Sequence, residues 1–236
     1  RLGRMNSYGA SESLMTFVFA DLAGFTALTE AHGNERAADL ATEFCASIGD
    51  RVEEVGGEVV KTIGDAALIR SEEAGAAVEL GLSILAHEGQ QLGFPAVRVG
   101  MNSGAAVEKG GDWFGDTVNV AARVVAAAAA GEVVLTRATF DLASDLEDVV
   151  FERLGSREFK NVSEPVMLFR ASRKGARSGP VTIDPVCRMR IADHEWIGSL
   201  SFEGRVFRFC SMECASRFAA DPKRYADQSP AGQDSC

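Results

Sequence analysis

The chain has 236 residues, 46% hydrophobic and 25% charged, with a formal net charge of −10. That is room for one large domain plus a small one, with a substantial core. Residues 1–171 hold 14 basic and 26 acidic side chains, which excludes a nucleic acid polymer as chief partner, because phosphate neutralisation needs clustered Lys and Arg. A nucleotide carried with metal ions stays open, since the ions supply the positive charge. No apolar run approaches the roughly 20 residues that span a bilayer, so no membrane is expected. Five cysteines, three of them in one short segment, fit a cytosolic chain with a metal site better than a disulfide framework.

Residues 14–20 (LMTFVFA) form a short apolar run and predict a buried strand. Leu28, Leu40, Phe44, Ile48 and Val52 then recur at helical spacing, predicting one long helix from Phe25 to Val55, ended by Gly56 and Gly57. Cys45 falls on its apolar face and reads as core. Residues 58–62 and 66–70 predict two strands around a turn at Gly64 and Asp65. A second amphipathic helix is expected over 73–91, a strand over 97–102 and a Gly-rich polar loop over 108–116. An Ala-rich helix over 117–130, a strand over 133–135, a polar connection over 141–148 and one or two strands within 151–170 follow. Helices mixed with hairpins predict an α+β layer architecture rather than an all-parallel sheet. Residues 172–180 (SRKGARSGP) read as a linker. The expected organisation is a main domain at 12–171, a linker at 172–183, a Cys-containing module at 184–227 and a disordered tail at 228–236.

Asp21 ends a strand and Asp65 sits in a hairpin turn, so both carboxylates can reach one edge of a sheet. Paired oxygen donors suit Mg²⁺ or Mn²⁺. Spacing alone leaves a second reading open, with Asp21 as a helix cap and Asp65 as a turn residue. Asn119 and Arg123 lie four apart on a predicted helix and share a face.

Three segments carry a resemblance. Phe19-Ala-Asp-Leu-Ala-Gly-Phe-Thr26, Lys61-Thr-Ile-Gly-Asp-Ala-Ala-Leu68 and Asp112-Trp-Phe-Gly-Asp-Thr-Val-Asn119-Val-Ala-Ala-Arg123 resemble, in order, the motifs of class III adenylyl and guanylyl cyclases. The resemblance covers about residues 12–171 and implies a ferredoxin-like α+β fold. It implies that Asp21 and Asp65 hold two Mg²⁺ or Mn²⁺ ions and that Lys61 and Asp112 read the base. Asn119 would orient the ribose, Arg123 would stabilise charge on the α-phosphate, and Lys160 resembles a late phosphate-binding Lys. Lys and Asp at the base-reading positions imply ATP, whereas guanylyl cyclases of this family usually carry Glu and Cys there. The family also implies a head-to-tail homodimer with sites shared between chains. The short stretch from Gly104 to Asp112 resembles a bacterial subclass with a reduced dimerisation arm. Two alternatives are weighed against the adenylyl cyclase: a guanylyl or relaxed purine cyclase, and a non-catalytic dimeric metal-sensing scaffold.

Asp184-Pro-Val-Cys-Arg-Met189, Phe207-Arg-Phe-Cys-Ser-Met-Glu-Cys214 and Asp221-Pro-Lys-Arg-Tyr225 resemble a YHS domain. Cys187, Cys210 and Cys214 could then hold Zn²⁺ or another soft ion, or be buried apolar residues of a small core. Three thiolates do not complete a tetrahedral site; His194 or Cys236 is the candidate fourth ligand, or the site is open. His32 and His87, on predicted helices with no partner ligand nearby, are assigned no role.

Overall fold

A computed structural model of the protein describes residues 13–88, 91–175, 182–192 and 195–226. Strand β1 (Ser13–Leu22) is followed by helices α1 (Phe25–His32) and α2 (Asn34–Glu54), the hairpin β2 (Glu58–Ile63) and β3 (Ala66–Ser71), helix α3 (Ala74–Glu88) and the long strand β4 (Val97–Lys109). These elements make an antiparallel sheet in the order β2-β3-β1-β4, the ferredoxin-like arrangement expected. Strand β5 (Asp112–Phe114) folds back on β4. Helix α4 (Asp116–Ala127), strand β6 (Val133–Thr136), helix α5 (Arg137–Ala143) and strands β7 (Val149–Arg157) and β8 (Val166–Arg173) extend the sheet to β4-β6-β8-β7, with β6 parallel to β4.

Side-chain alternation along β1 decides the layers. Val18, Ala20 and Leu22 face one way and join Phe44, Ile48, Val52, Val78 and Leu80 of α2 and α3 in the main core. Phe17 and Phe19 face the other way, with Leu68, Trp113, Val118, Ala121 and Val125, where α4 packs. Each fully buried Val, Leu, Ile or Phe side chain among them contributes about 1.5–3 kcal/mol. Helix α4 lies unusually close to the sheet: a Cβ at Gly100 would sit 2.1 Å from the backbone nitrogen of Val125. Only glycine permits that approach.

Three sequence expectations within the main domain need correction. The single helix over 25–55 is two helices, because Gly33 at φ 87° breaks it; periodicity does not register one left-handed residue. The expected loop over 108–116 is the β4–β5 hairpin, turned by Gly110 and Gly111, both at positive φ. The connection over 141–148 begins inside α5, which Thr136 caps by accepting the Thr139 N–H. Among the described residues, no helix is long and apolar enough to cross a membrane.

The C-terminal module consists of the short pair β9 (Thr182–Ile183) and β10 (Arg190–Ile191), the hairpin β11 (Gly198–Phe202) and β12 (Arg205–Phe209), and helices α6 (Met212–Ala220) and α7 (Pro222–Ala226). It does not stand apart. Val186, Met189, Phe207, Phe209, Phe218 and Tyr225 belong to the same continuous core as α2 and α3. Its backbone pairs with the segment before β4: Ala96 N–H donates to Arg188 C=O, Arg190 N–H to Phe94 C=O and Gly93 N–H to Arg190 C=O. The expected linker over 172–183 is partly strand at both ends, and its residues 176–181 lie outside the described residues, as do the tail, His194 and Cys236.

Candidate active site and the cysteine cluster

Asp21 is the ninth residue of β1 and points to the α4 side of the sheet, in the phase of Phe17 and Phe19. Arg98 of β4 stands directly opposite it and donates from Nε to Asp21 Oδ2 at 2.8 Å. Sequence reading missed Arg98; strand register alone makes the pair. Asp65 fills the β2–β3 turn beside Gly64 at φ 64°, and its carbonyl accepts the Leu22 N–H at 3.3 Å. That bond ties the turn to the end of β1 and brings the carboxylates together.

Burial, and then the charge of Asp21, push the Asp65 carboxyl up to about 6, with Arg98 pulling the other way. Asp21 and Asp65 present hard oxygen donors side by side, and that donor set fits Mg²⁺ or Mn²⁺, although Arg98, Arg188 and Arg224 line the same space. A cavity of about 350 Å³ opens here, bounded by Asp21, Asp65, Arg98 and the start of α1. Arg188 and Tyr225 of the C-terminal module close its other side. At Gly24, φ 74°, a Cβ would meet Arg188 Cγ at 2.8 Å, so the module sits tightly against the strand–helix turn.

Lys61 of β2 and Asp112 of β5 are 51 residues apart in sequence but joined by an ion pair, Nζ to Oδ2 2.5 Å, with side chains 41% and 30% exposed. Donation from Lys61, and then from the Trp113 N–H, holds the Asp112 carboxyl below the usual carboxylate range. Asn119 and Arg123 both lie on the exposed side of α4, while Val118, Ala121 and Val125 face the sheet. None of Lys61, Asp112, Asn119 and Arg123 lines the Asp21–Asp65 cavity. Lys160 is exposed in a turn between β7 and β8 rather than within a strand. His87 meets Gln91 near the end of α3, and Cys45 packs against the main core from a half-buried position.

The cysteines gather at the seam between the two parts of the chain. Cys187 Sγ and Cys210 Sγ are 3.4 Å apart, and Cys210 Sγ and Cys214 Sγ 3.9 Å. Asp184, fully buried, fixes both loops. Its Oδ1 accepts the Val186 and Cys187 N–H groups and its Oδ2 accepts the Cys210 N–H. Ser211 caps α6 and accepts the Cys214 N–H at 3.1 Å. Hydrogen bonds from Cys187 and then Cys210 favour the Cys214 thiolate strongly, whereas burial pushes the Cys187 thiol up.

His32, which sequence reading left without a role, completes this group. It occupies the last turn of α1, and its Nε2 lies 3.6 Å from Cys210 Sγ and 3.9 Å from Cys214 Sγ. Nothing adjacent in sequence marks it. The break at Gly33 and the docking of the module together bring it there.

Residues 8–169 match the adenylate and guanylate cyclase catalytic domain, and residues 182–229 match the YHS domain. An uncharacterised protein of Mycobacterium tuberculosis is 38% identical over 151 residues, 64% of this chain and 39% of that protein. A pH-sensitive adenylate cyclase of the same species is 32% identical over 168 residues, 70% of this chain and 42% of that protein. The chain thus spans about two-fifths of the length of these relatives. The structure of an adenylate/guanylate cyclase/hydrolase from Silicibacter pomeroyi superposes with a TM-score of 0.62 at 30% identity, covering 70% of this chain and 99% of that one.

Proposed function

This chain belongs to the adenylate and guanylate cyclase catalytic-domain family, and from that premise we propose that it converts ATP to 3′,5′-cyclic AMP and pyrophosphate at sites shared between two copies. The observation that carries the proposal is the separation of two half-sites. Asp21 and Asp65 share a cavity, while Lys61, Asp112, Asn119 and Arg123 lie outside it. Each half is incomplete alone, and a head-to-tail pairing of copies brings one half of each against the other.

In this reading the 3′-oxygen of the ribose bonds to the α-phosphorus, and the bond from that phosphorus to the bridging oxygen of the β-phosphate breaks. The hydroxyl proton passes to solvent. Asp21 and Asp65 hold Mg²⁺ or Mn²⁺, which supplies positive charge at the reacting phosphate when bound. Arg98 offsets part of the carboxylate charge and keeps Asp21 in position. Arg123, from the partner copy, adds a fixed positive charge where negative charge develops, and Asn119 orients the ribose.

Lys61 donates to adenine N1 and Asp112 accepts from the 6-amino group. Guanine presents the opposite polarity, so its binding would leave buried polar groups unpaired. The partial exposure of Lys61 and Asp112 in a single copy supports the need for a partner surface, because discrimination by hydrogen bonds requires water to be excluded.

The test is product identification by chromatography after incubating purified chain with ATP or GTP and Mn²⁺ or Mg²⁺. Cyclic AMP is the expected main product. Cyclic GMP as main product overturns the base assignment, and no cyclic nucleotide overturns the enzyme. Sharing is tested by mixing Asp21→Ala and Arg123→Ala proteins, each inactive alone. Random pairing makes half the dimers mixed, with one intact site each, so activity should return to roughly a quarter of the unmodified level. Silence from demonstrably mixed dimers removes the shared site.

A further inference from the structure

We propose that His32 of the cyclase domain and Cys187, Cys210 and Cys214 of the C-terminal module form one tetrahedral site for a Zn²⁺-class ion, which fastens the module to the cyclase domain. The site does not rest on the activity proposed above, and it draws its fourth ligand from outside the cysteine-bearing module.

The distances carry the argument. A tetrahedral ion with metal–sulfur bonds of about 2.3 Å and a metal–nitrogen bond of about 2.0–2.1 Å requires sulfur–sulfur edges of roughly 3.8 Å and sulfur–nitrogen edges of roughly 3.6 Å. The observed edges are 3.4 and 3.9 Å between sulfurs and 3.6 and 3.9 Å from sulfur to His32 Nε2. All four donor atoms lie within 4.8 Å of one another. Three thiolates and one imidazole are the donor set of a closed structural zinc site.

The surroundings are built to hold such a set. Asp184 clamps the loop of Cys187 to the loop of Cys210 through three backbone N–H groups, as outer hydrogen bonds do around metal ligands. Ser211 fixes the first turn of α6, where Cys214 sits. His32 ends α1, where the helix dipole favours positive charge. Arg217 of α6 meets Glu30 of α1 at 3.0 Å, holding the two helices together one turn from the donors. Cys187 and Cys214 are buried while His32 and Cys210 are half-buried, so an ion can reach the site from one side. Its uptake displaces the remaining thiol protons to solvent.

The test uses the full chain, reduced and loaded with Zn²⁺ or Co²⁺. About one Zn²⁺ per chain is expected by elemental analysis, and the Co²⁺ protein should show intense d–d bands of tetrahedral coordination with sulfur-to-metal charge transfer. His32→Ala should weaken metal binding by at least about tenfold in chelator competition and alter the d–d bands. His32→Cys should restore binding with the spectrum of four thiolates. Cys45→Ser should change neither. Reduced chain that takes up no Zn²⁺, or a disulfide that persists between Cys187 and Cys210 in its place, overturns the site. Identical Co²⁺ spectra and affinities in the unmodified, His32→Ala and His32→Cys proteins overturn the role of His32.

Discussion

Two clusters of potential ion ligands, opposite in chemical character, lie at the two ends of α1. At the start of that helix, Asp21 and Asp65 offer hard oxygens to an open cavity. At its end, His32 meets three sulfurs in a largely buried cluster. Hard oxygens in a cavity leave room for water and phosphate oxygens, which a Mg²⁺-type ion retains as ligands. Closely spaced thiols and an imidazole leave no such room and suit a structural ion. In the two proposals made above, the same short helix joins a place for chemistry to a place that holds structure. The C-terminal module touches both, through Arg188 at the cavity and through its cysteines at the cluster.

The largest effect expected from this contrast is a separation of activity from stability. If Asp65 holds the ions as proposed, Asp65→Asn should lower cyclase turnover by about a thousandfold or more, since such ions supply several kcal/mol of charge stabilisation. The same change removes a carboxylate crowded by burial and by Asp21, so the melting temperature should stay level or rise slightly. His32→Ala should do the reverse: the midpoint of unfolding should fall in the zinc-loaded chain, with no comparable fall in turnover. A turnover collapse in both variants would show that the two centres are one functional unit.

Within the cyclase centre, Lys61→Glu combined with Asp112→Cys should reverse the hydrogen-bond polarity facing the base. The ratio of kcat/KM for ATP over GTP should drop by at least about 100-fold. An unchanged ratio in a protein that retains activity would place base selection elsewhere. This pair also shows what the sequence could nominate for the candidate site. Asp21, Asp65, Lys61, Asp112, Asn119 and Arg123 all sit in contiguous motifs, each tied to one strand end, one turn or one helix face. Local sequence dictates such geometry, so motif order sufficed to nominate them. Arg98 and His32 were not legible. Arg98 reaches Asp21 only through the β1–β4 register, and His32 reaches Cys210 across 178 positions. The helix break at Gly33 was hidden for a similar reason: an apolar repeat that resumes in phase looks uninterrupted. Hairpins and helices that follow local patterning were readable, whereas the seam between the two parts of the chain depends on long-range packing.

The smallest effect sharpens the comparison at that seam. Arg217 bridges α6 to α1, with Nη1 3.0 Å from Glu30 Oε2 and Nη2 donating to the Glu30 carbonyl at 3.0 Å. The pair is partly exposed, so solvent screening limits its worth. Arg217→Ala should lower stability by about 0.5–1 kcal/mol, read as a shift in the denaturation midpoint at constant slope. If the ion at His32 fastens the same two helices, the two contacts are coupled. The loss from Arg217→Ala should then be larger in zinc-free chain than in zinc-loaded chain. Equal losses would mean that the seam is held by the shared apolar core of Phe209, Phe218 and Tyr225, with the ion contributing to the module alone.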